Sequence, residues 1–247
     1  MKKLLLTLLL IGSLFAGDFE KGVKAYNKGD YQTALQLWTI EAQQGNPVAQ
    51  FNLGVMYSTG LSVKKNYKEA AKWYKLAAEQ GYPKAQDKLG AMYGAGLGVK
   101  KDWKEAAKWY KLAAEQGLPE AQFALGNLYV NGATGIEQNY NKALKWYKSA
   151  AEQGDPNAQY GIGVMYFSGH GVKKDYKEAA KWFKLAAEQG YPDAQTNLGF
   201  MYYYGKGVPK DKIKAYQWYM KAAKQGNQTA QQNLDNLCKE SPWACKK

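Results

Sequence analysis

The 247 residues contain a single histidine, His170, and a lone imidazole has no second one with which to hold a metal ion. It occupies a loop position that other copies of the same loop fill with Leu61, Leu97 and Lys206, so it reads as a solvated surface residue. Ser62 and Lys65 have the S-x-x-K spacing of serine β-lactamases, in which an amine lies near a nucleophilic hydroxyl, but neither S-D-N nor K-T-G occurs in the chain. The segment GAGLGVKKD from Gly94 is rich enough in glycine to wrap a phosphate. It lacks the G-x-x-x-x-G-K-[ST] frame, however, and follows a helical stretch where a strand would be needed. Carboxylates such as Glu69 are followed three residues later by lysines such as Lys72, the spacing of ordinary ion pairs on a helix surface. These residues imply no catalytic centre, no metal and no cofactor. The chemistry they support is packing and recognition.

What positions them is one helix written repeatedly. Residues 65–81 read KNYKEAAKWYKLAAEQG and residues 101–117 read KDWKEAAKWYKLAAEQG; three further copies close at Gly154, Gly190 and Gly226, spaced 37, 36 and 36 residues apart. Such a period is the signature of a stacked array in which each unit touches only its neighbours. In the first copy Ala70, Trp73, Tyr74, Ala77 and Ala78 form one apolar stripe at helical spacing, and lysines such as Lys72 and Lys75 take another face. Asn66 and Asp102 stand where a helix begins, with Glu69 and Glu105 three residues on, so a capping box is expected in which the glutamate reaches back. The closing glycine suits a left-handed cap.

A second helix precedes each of these, as in YPKAQDKLGAMYGAG from Tyr82, with Pro83 in its first turn. It carries Gly54, Gly90, Gly126, Gly163 and Gly199 at one position, at a cost of about 1 kcal/mol each in a helix. That cost implies close approach, with the tryptophan of the neighbouring helix, Trp73 or Trp109, expected to fill the gap. A further glycine in the following loop (Gly98, Gly135, Gly171, Gly207) suits a tight turn; Ser62 stands there in the first copy.

The pattern A-x-x-x-L-G-x-M-Y-x-x-G-x-G-V-x-K-D-x-x-x-A-x-x-W-Y-x-x-A-A-x-x-G over about residues 46–237 closely resembles the Sel-one-like repeat family, a relative of the tetratricopeptide repeats. The resemblance implies an all-α, right-handed α-solenoid whose inner face binds peptides or other proteins. Repeats are expected at 46–81, 82–117, 118–154, 155–190 and 191–226, after a tetratricopeptide-like opening pair at 17–45 and before a capping helix and tail at 227–247. The family includes scaffolds and adaptors, and also the secreted Helicobacter cysteine-rich proteins, to which penicillin binding or β-lactamase activity has been attributed. Those relatives carry a cysteine pair in each repeat, and here the repeats have none.

The implied function is therefore a non-catalytic interaction module holding a protein, a peptide or a cell-envelope component in its groove, with a penicillin-binding or β-lactamase-type hydrolase as the alternative. On the first helix of each pair the positions that vary between copies fall on one face, away from Leu53, Leu89, Leu125, Ile162 and Leu198. In tetratricopeptide-like arrays this face lines the groove. The candidate groove residues are Phe51, Val55, Asp87, Phe123, Asn127, Tyr160, Val164, Phe167, Phe200, Tyr203 and Tyr204, with Asn52, Lys88 and Asn197 supplying polar contacts to a bound backbone.

Residues 1–16, MKKLLLTLLLIGSLFA, have two lysines, an apolar run from Leu4 to Leu14 and a small Ala16. This is the layout of a secretory signal cleaved after Ala16, and the run is too short to span a bilayer at about 20 residues. A periplasmic or secreted protein with no stable membrane insertion after cleavage is expected. The net charge is +13 and every basic residue is lysine. Without arginine the bidentate fork that reads bases is missing, which argues against nucleic acid as a partner. The repeated lysines form a ridge that either solubilises the outer face or draws acidic partners. In an exported chain Cys238 and Cys245 read as one disulfide. It would staple the tail so that Trp243 folds back over the open end of the array.

Overall fold

The computed structural model describes residues 18–245. Among them are thirteen α-helices and a terminal 3₁₀ turn, with one isolated bridge between Ala133 and Ile136 as the only extended pairing. After α1 (18–27), the helices are α2 (Tyr31–Gln43), α3 (Pro47–Thr59), α4 (Tyr67–Glu79), α5 (Pro83–Ala95), α6 (Trp103–Glu115), α7 (Pro119–Asn131), α8 (Tyr140–Glu152), α9 (Pro156–Ser168), α10 (Tyr176–Glu188), α11 (Pro192–Tyr204), α12 (Lys212–Lys224) and α13 (Gln228–Glu240). The 3₁₀ turn is η1 (Pro242–Cys245). These are tandem helix-turn-helix repeats of the solenoid class. They fall into two compact units, Met1–Leu118 and Pro119–Lys247. No helix of the described residues is long and apolar enough to cross a membrane. The N-terminal signal reading lies outside the described residues.

Capping sets where the second helix of each pair begins. Asn66 Oδ1 accepts from the Lys68 and Glu69 amides at 3.1 and 3.2 Å, and Asp102 does the same for Lys104 and Glu105 at 2.8 and 3.1 Å. The reciprocal half of the capping box does not form. The Asn66 N–H already donates to the Tyr57 carbonyl at 2.9 Å, and that of Asp102 to Tyr93 at 2.9 Å, so the glutamate has no donor to reach. Glu69 pairs with Lys72 at 2.6 Å instead.

The glycines repeated at one position of the first helix are notches, as expected, but the ring that fills each one is not tryptophan. A Cβ on Gly54 would lie 2.5 Å from the Tyr74 ring, on Gly126 2.5 Å from Tyr147, on Gly163 2.6 Å from Phe183 and on Gly199 2.7 Å from Tyr219. Each of these is the residue after the tryptophan. The tryptophans lie about 100° further round the helix, where Trp73 packs on the cluster of Leu53 and Met56, and Trp218 on that of Leu198 and Met201. The loop glycines also do more than turn the chain. Gly98 has φ +71°, and a Cβ there would sit 2.1 Å from the Tyr67 carbonyl of the preceding repeat; Gly207 stands in the same relation to Tyr176. Ser62 takes the left-handed conformation at this position, with φ 57°.

Between repeats runs a ladder of glutamines that the sequence reading passed over. Buried Gln86 donates to the Ala78 carbonyl at 3.1 Å, at the end of the preceding helix, and accepts from Gln116 at 2.8 Å. Gln50 does the same with Ala42 and Gln80, and in the second unit Gln159 and Gln195 repeat it with Gln189 and Gln225. Each buried amide thus gives a last-turn helix carbonyl a second donor, beside the N–H of the closing glycine, while tying two hairpins together.

At the C-terminal end Cys238 and Cys245 form the disulfide, with Cα atoms 5.6 Å apart. Trp243 does not fold back: it is 59% exposed. The short loop turns Ser241 and Ala244 inward instead, both buried, and Lys212 Nζ donates to Ser241 Oγ at 2.5 Å. With Cys245 against Tyr219 and Leu237, there is no room left over them for an indole.

Candidate binding face

The variable face carries partly exposed aromatic side chains in each unit, and Phe51, Phe123, Tyr160 and Phe167 each lean on a ring of the following helix. In the first unit Phe51 lies 5.7 Å from Tyr74 and 5.3 Å from Tyr82. With Asn52 and Val55 it lines an apolar hollow of about 320 Å³ whose other walls are Val23, Tyr26 and Trp38. The next repeat adds no ring here. Asp87 is buried and pairs with Lys88 at 3.2 Å, and burial together with the Asp87 charge pushes the Tyr110 phenol well up.

In the second unit a hollow of about 240 Å³ is lined by Phe123, Asn127, Tyr160 and Val164, and also by Tyr140, Tyr147 and His170. Phe123 stacks on Tyr147 at 5.6 Å. Tyr147 donates to Asn127 Oδ1 at 2.5 Å, and burial pushes its phenol up to about 12. Tyr160 packs on Phe183 at 5.7 Å and Tyr191 at 5.1 Å, and its hydroxyl is hydrogen-bonded by Asn197. His170 is exposed, as expected, but it is not simply solvated: its ring stacks on Tyr140 at 5.2 Å and 11°.

A third hollow, of about 130 Å³, lies between Phe200, Tyr203 and Tyr204 on α11 and Leu237 and Glu240 on α13. Tyr203 donates to Glu240, and that bond is the main reason its phenol is pushed up to about 12. Phe167 and Phe200 meet edge-on at 6.0 Å, and the Lys206 ammonium lies 5.2 Å from the Phe200 centroid and 5.4 Å from that of Tyr176.

The structure therefore gathers Phe51, Asn52 and Val55 round one hollow, Phe123, Asn127, Tyr160 and Val164 round a second, and Phe200, Tyr203 and Tyr204 round a third. Phe167 joins its neighbours only through ring contacts, Asn197 is engaged by Tyr160, and Asp87 and Lys88 are occupied with each other. The residues missed are Tyr26, Trp38, Tyr140, Tyr147 and His170. All five stand on elements that the variable-position rule did not scan: the opening pair, the second helix and the loop.

Among the described residues the lysine ridge is paired within its own helix on α4, α6 and α10, though not at Lys145 and Lys148 on α8. Lys75 and Glu79 lie 3.7 Å apart, Lys108 and Glu105 3.4 Å, Lys111 and Glu115 3.6 Å, and Lys184 and Glu188 3.7 Å, with Lys181 on Glu178. Among the described residues no group of three or more metal-ligating side chains converges.

The Sel1 repeat family model matches residues 47–82, 83–118, 119–155, 156–191 and 192–227. Among solved structures, a protective antigen of uropathogenic Escherichia coli displaying an SLR fold superposes with a TM-score of 0.86 at 36% identity, over 92% of this chain. This chain spans only about half of that protein, 49% of its length. A Sel1 repeat protein from Oxalobacter formigenes superposes with a TM-score of 0.82 at 41% identity, covering 88% of this chain and 86% of its own. Helicobacter pylori cysteine rich protein B aligns at 30% identity over 53% of this chain and 94% of its own, with a TM-score of 0.43. No curated protein matches.

Proposed function

Because the chain belongs to the Sel1 repeat family, whose members are generally scaffolds for protein–protein interaction, we propose that it is an exported, non-catalytic module that holds another protein or a cell-envelope component against the aromatic face of its first helices. What supports this reading is the state of that face. Half-exposed rings braced from behind by other rings are rigid anchors that lose little entropy on binding, the property that makes aromatic residues dominate interaction energies. They open into hollows of about 320, 240 and 130 Å³, large enough for single side chains of an extended or helical segment. Carboxamides such as Asn52 beside them can pair with a partner's backbone. Export is supported by the pattern of residues 1–16.

The test is site-specific photocrosslinking in a native envelope preparation. A benzophenone side chain at Val164, inside the second hollow, should yield a discrete crosslinked partner, whereas the same group at Lys111 on the outer ridge should yield none. Identical products from both positions, or none from either, would refute the assignment of this face.

A further inference from the structure

We propose that the hairpin-loop edge of the first unit docks on an anionic phospholipid surface, independently of what the aromatic face holds. The net charge of +13 has to reside somewhere, and in the first unit the ridge lysines Lys72, Lys75, Lys108 and Lys111 are each paired with a glutamate and do not carry the excess. The loops do. In the first unit Lys64, Lys65, Lys68, Lys100, Lys101 and Lys104 are all exposed, and among the described residues none of them has a carboxylate within ion-pairing distance. The acids nearby are already committed. Asp102 caps a helix, and Glu69 and Glu105 hold Lys72 and Lys108. In the second unit Lys173, Lys174, Lys177 and Lys210 repeat the arrangement without ion pairs.

Charge alone would suit any polyanion; two further features favour a surface. Aromatic side chains stand among these lysines at the start of α4, α6 and α10, and Lys65 and Lys101 lie over the Tyr67 and Trp103 rings at 4.8 and 4.9 Å. Leu97 protrudes from the same edge, 39% exposed. Lysine interleaved with tyrosine, tryptophan and an exposed leucine is the composition that settles at a headgroup layer.

Each lysine at an anionic surface is worth about a fivefold gain in partitioning, lost within a Debye length as salt rises. The experiment is cosedimentation of the full chain with vesicles of phosphatidylcholine, with and without phosphatidylglycerol. Residues 1–17 are common to every protein compared, so the reading is the gain that phosphatidylglycerol confers. K64Q/K65Q/K68Q should reduce that gain by at least tenfold and weaken its salt dependence. K72Q/K75Q, on the ridge, should leave it within twofold, and circular dichroism should show all variants folded. No gain with phosphatidylglycerol, or equal losses from the edge and ridge variants, would overturn the proposal. So would tight, lysine-dependent binding of soluble polyphosphate by a protein that ignores acidic vesicles, which would assign the edge to a polymer.

Discussion

Gly163→Ala sets two known effects against each other, and the geometry decides which prevails. Alanine is the better helix former by about 1 kcal/mol. Its methyl group, however, would be placed 2.6 Å from two carbons of the Phe183 ring. Phe183 is completely buried among Ala179, Ala187 and Leu198, so the ring cannot swing aside without moving the helix that carries it. Overpacking of this kind costs about 1–3 kcal/mol, and separating α9 from α10 also loosens the ring contacts of Tyr160 and Phe167 with Phe183. The expected net loss is about 1–2 kcal/mol, read as a lower urea midpoint at unchanged slope. Phe183→Leu, which removes the obstructing carbons, should partly restore Gly163→Ala, so that the two losses add to less than their sum by about 1 kcal/mol or more. An unchanged or raised midpoint for Gly163→Ala alone would show that the notch is not needed and that helix propensity prevails.

Gln86→Ala removes two hydrogen bonds, to the Ala78 carbonyl and from Gln116, but leaves that carbonyl its bond from the Gly81 N–H, and should cost about 1–2 kcal/mol by chemical denaturation; a loss below about 0.5 kcal/mol, the usual range for a surface change, would make the ladder decorative. Replacing both cysteines with serine should cost about 2–3 kcal/mol, concentrated in faster amide exchange of α13, with α3–α6 unaffected. Tyr147 has its folded pKa raised to about 12 from 10, so the unfolded chain gives up that proton first; the neutral phenol stabilises fully below pH 10, and the contribution disappears as pH rises from 10 to 12. Tyr147→Phe should flatten the fall in stability across that window while losing the hydrogen bond to Asn127, followed by phenolate absorbance and circular dichroism on the same samples.

The helices and their ends were legible because each is specified locally, by proline, a short polar cap and a closing glycine. The period then fixed the class of fold. What sequence could not resolve was which of two adjacent rings enters a glycine notch: Trp73 and Tyr74 differ by a single step of helix rotation, and only packing chooses between them. The capping box failed for a similar reason, since the cap amide was claimed by Tyr57, a residue nine positions upstream that no local rule consults. The glutamine ladder was written plainly in five copies, but a single polar residue beside alanine resembles any surface position until its neighbour across the turn is known. For the candidate face, variation between copies located one wall of each hollow. The others came from helices whose repeated sequence hid them.

The regularity of these joints bears on how the chain can change length. Within each unit the same carbonyl, the same cap amide and the same pair of side-chain amides recur wherever one hairpin meets the next, so the bonds cut by deleting one whole copy are remade by the copy that takes its place. The additional residue of the third copy falls in the loop that carries the bridge between Ala133 and Ile136, between helices and not within one. Insertion or loss in steps of one complete hairpin is therefore nearly free of strain, whereas removing a few residues from inside a helix misaligns every later contact. A protein built this way can acquire or shed recognition sites in whole modules, and the reach of its interaction surface becomes a matter of copy number.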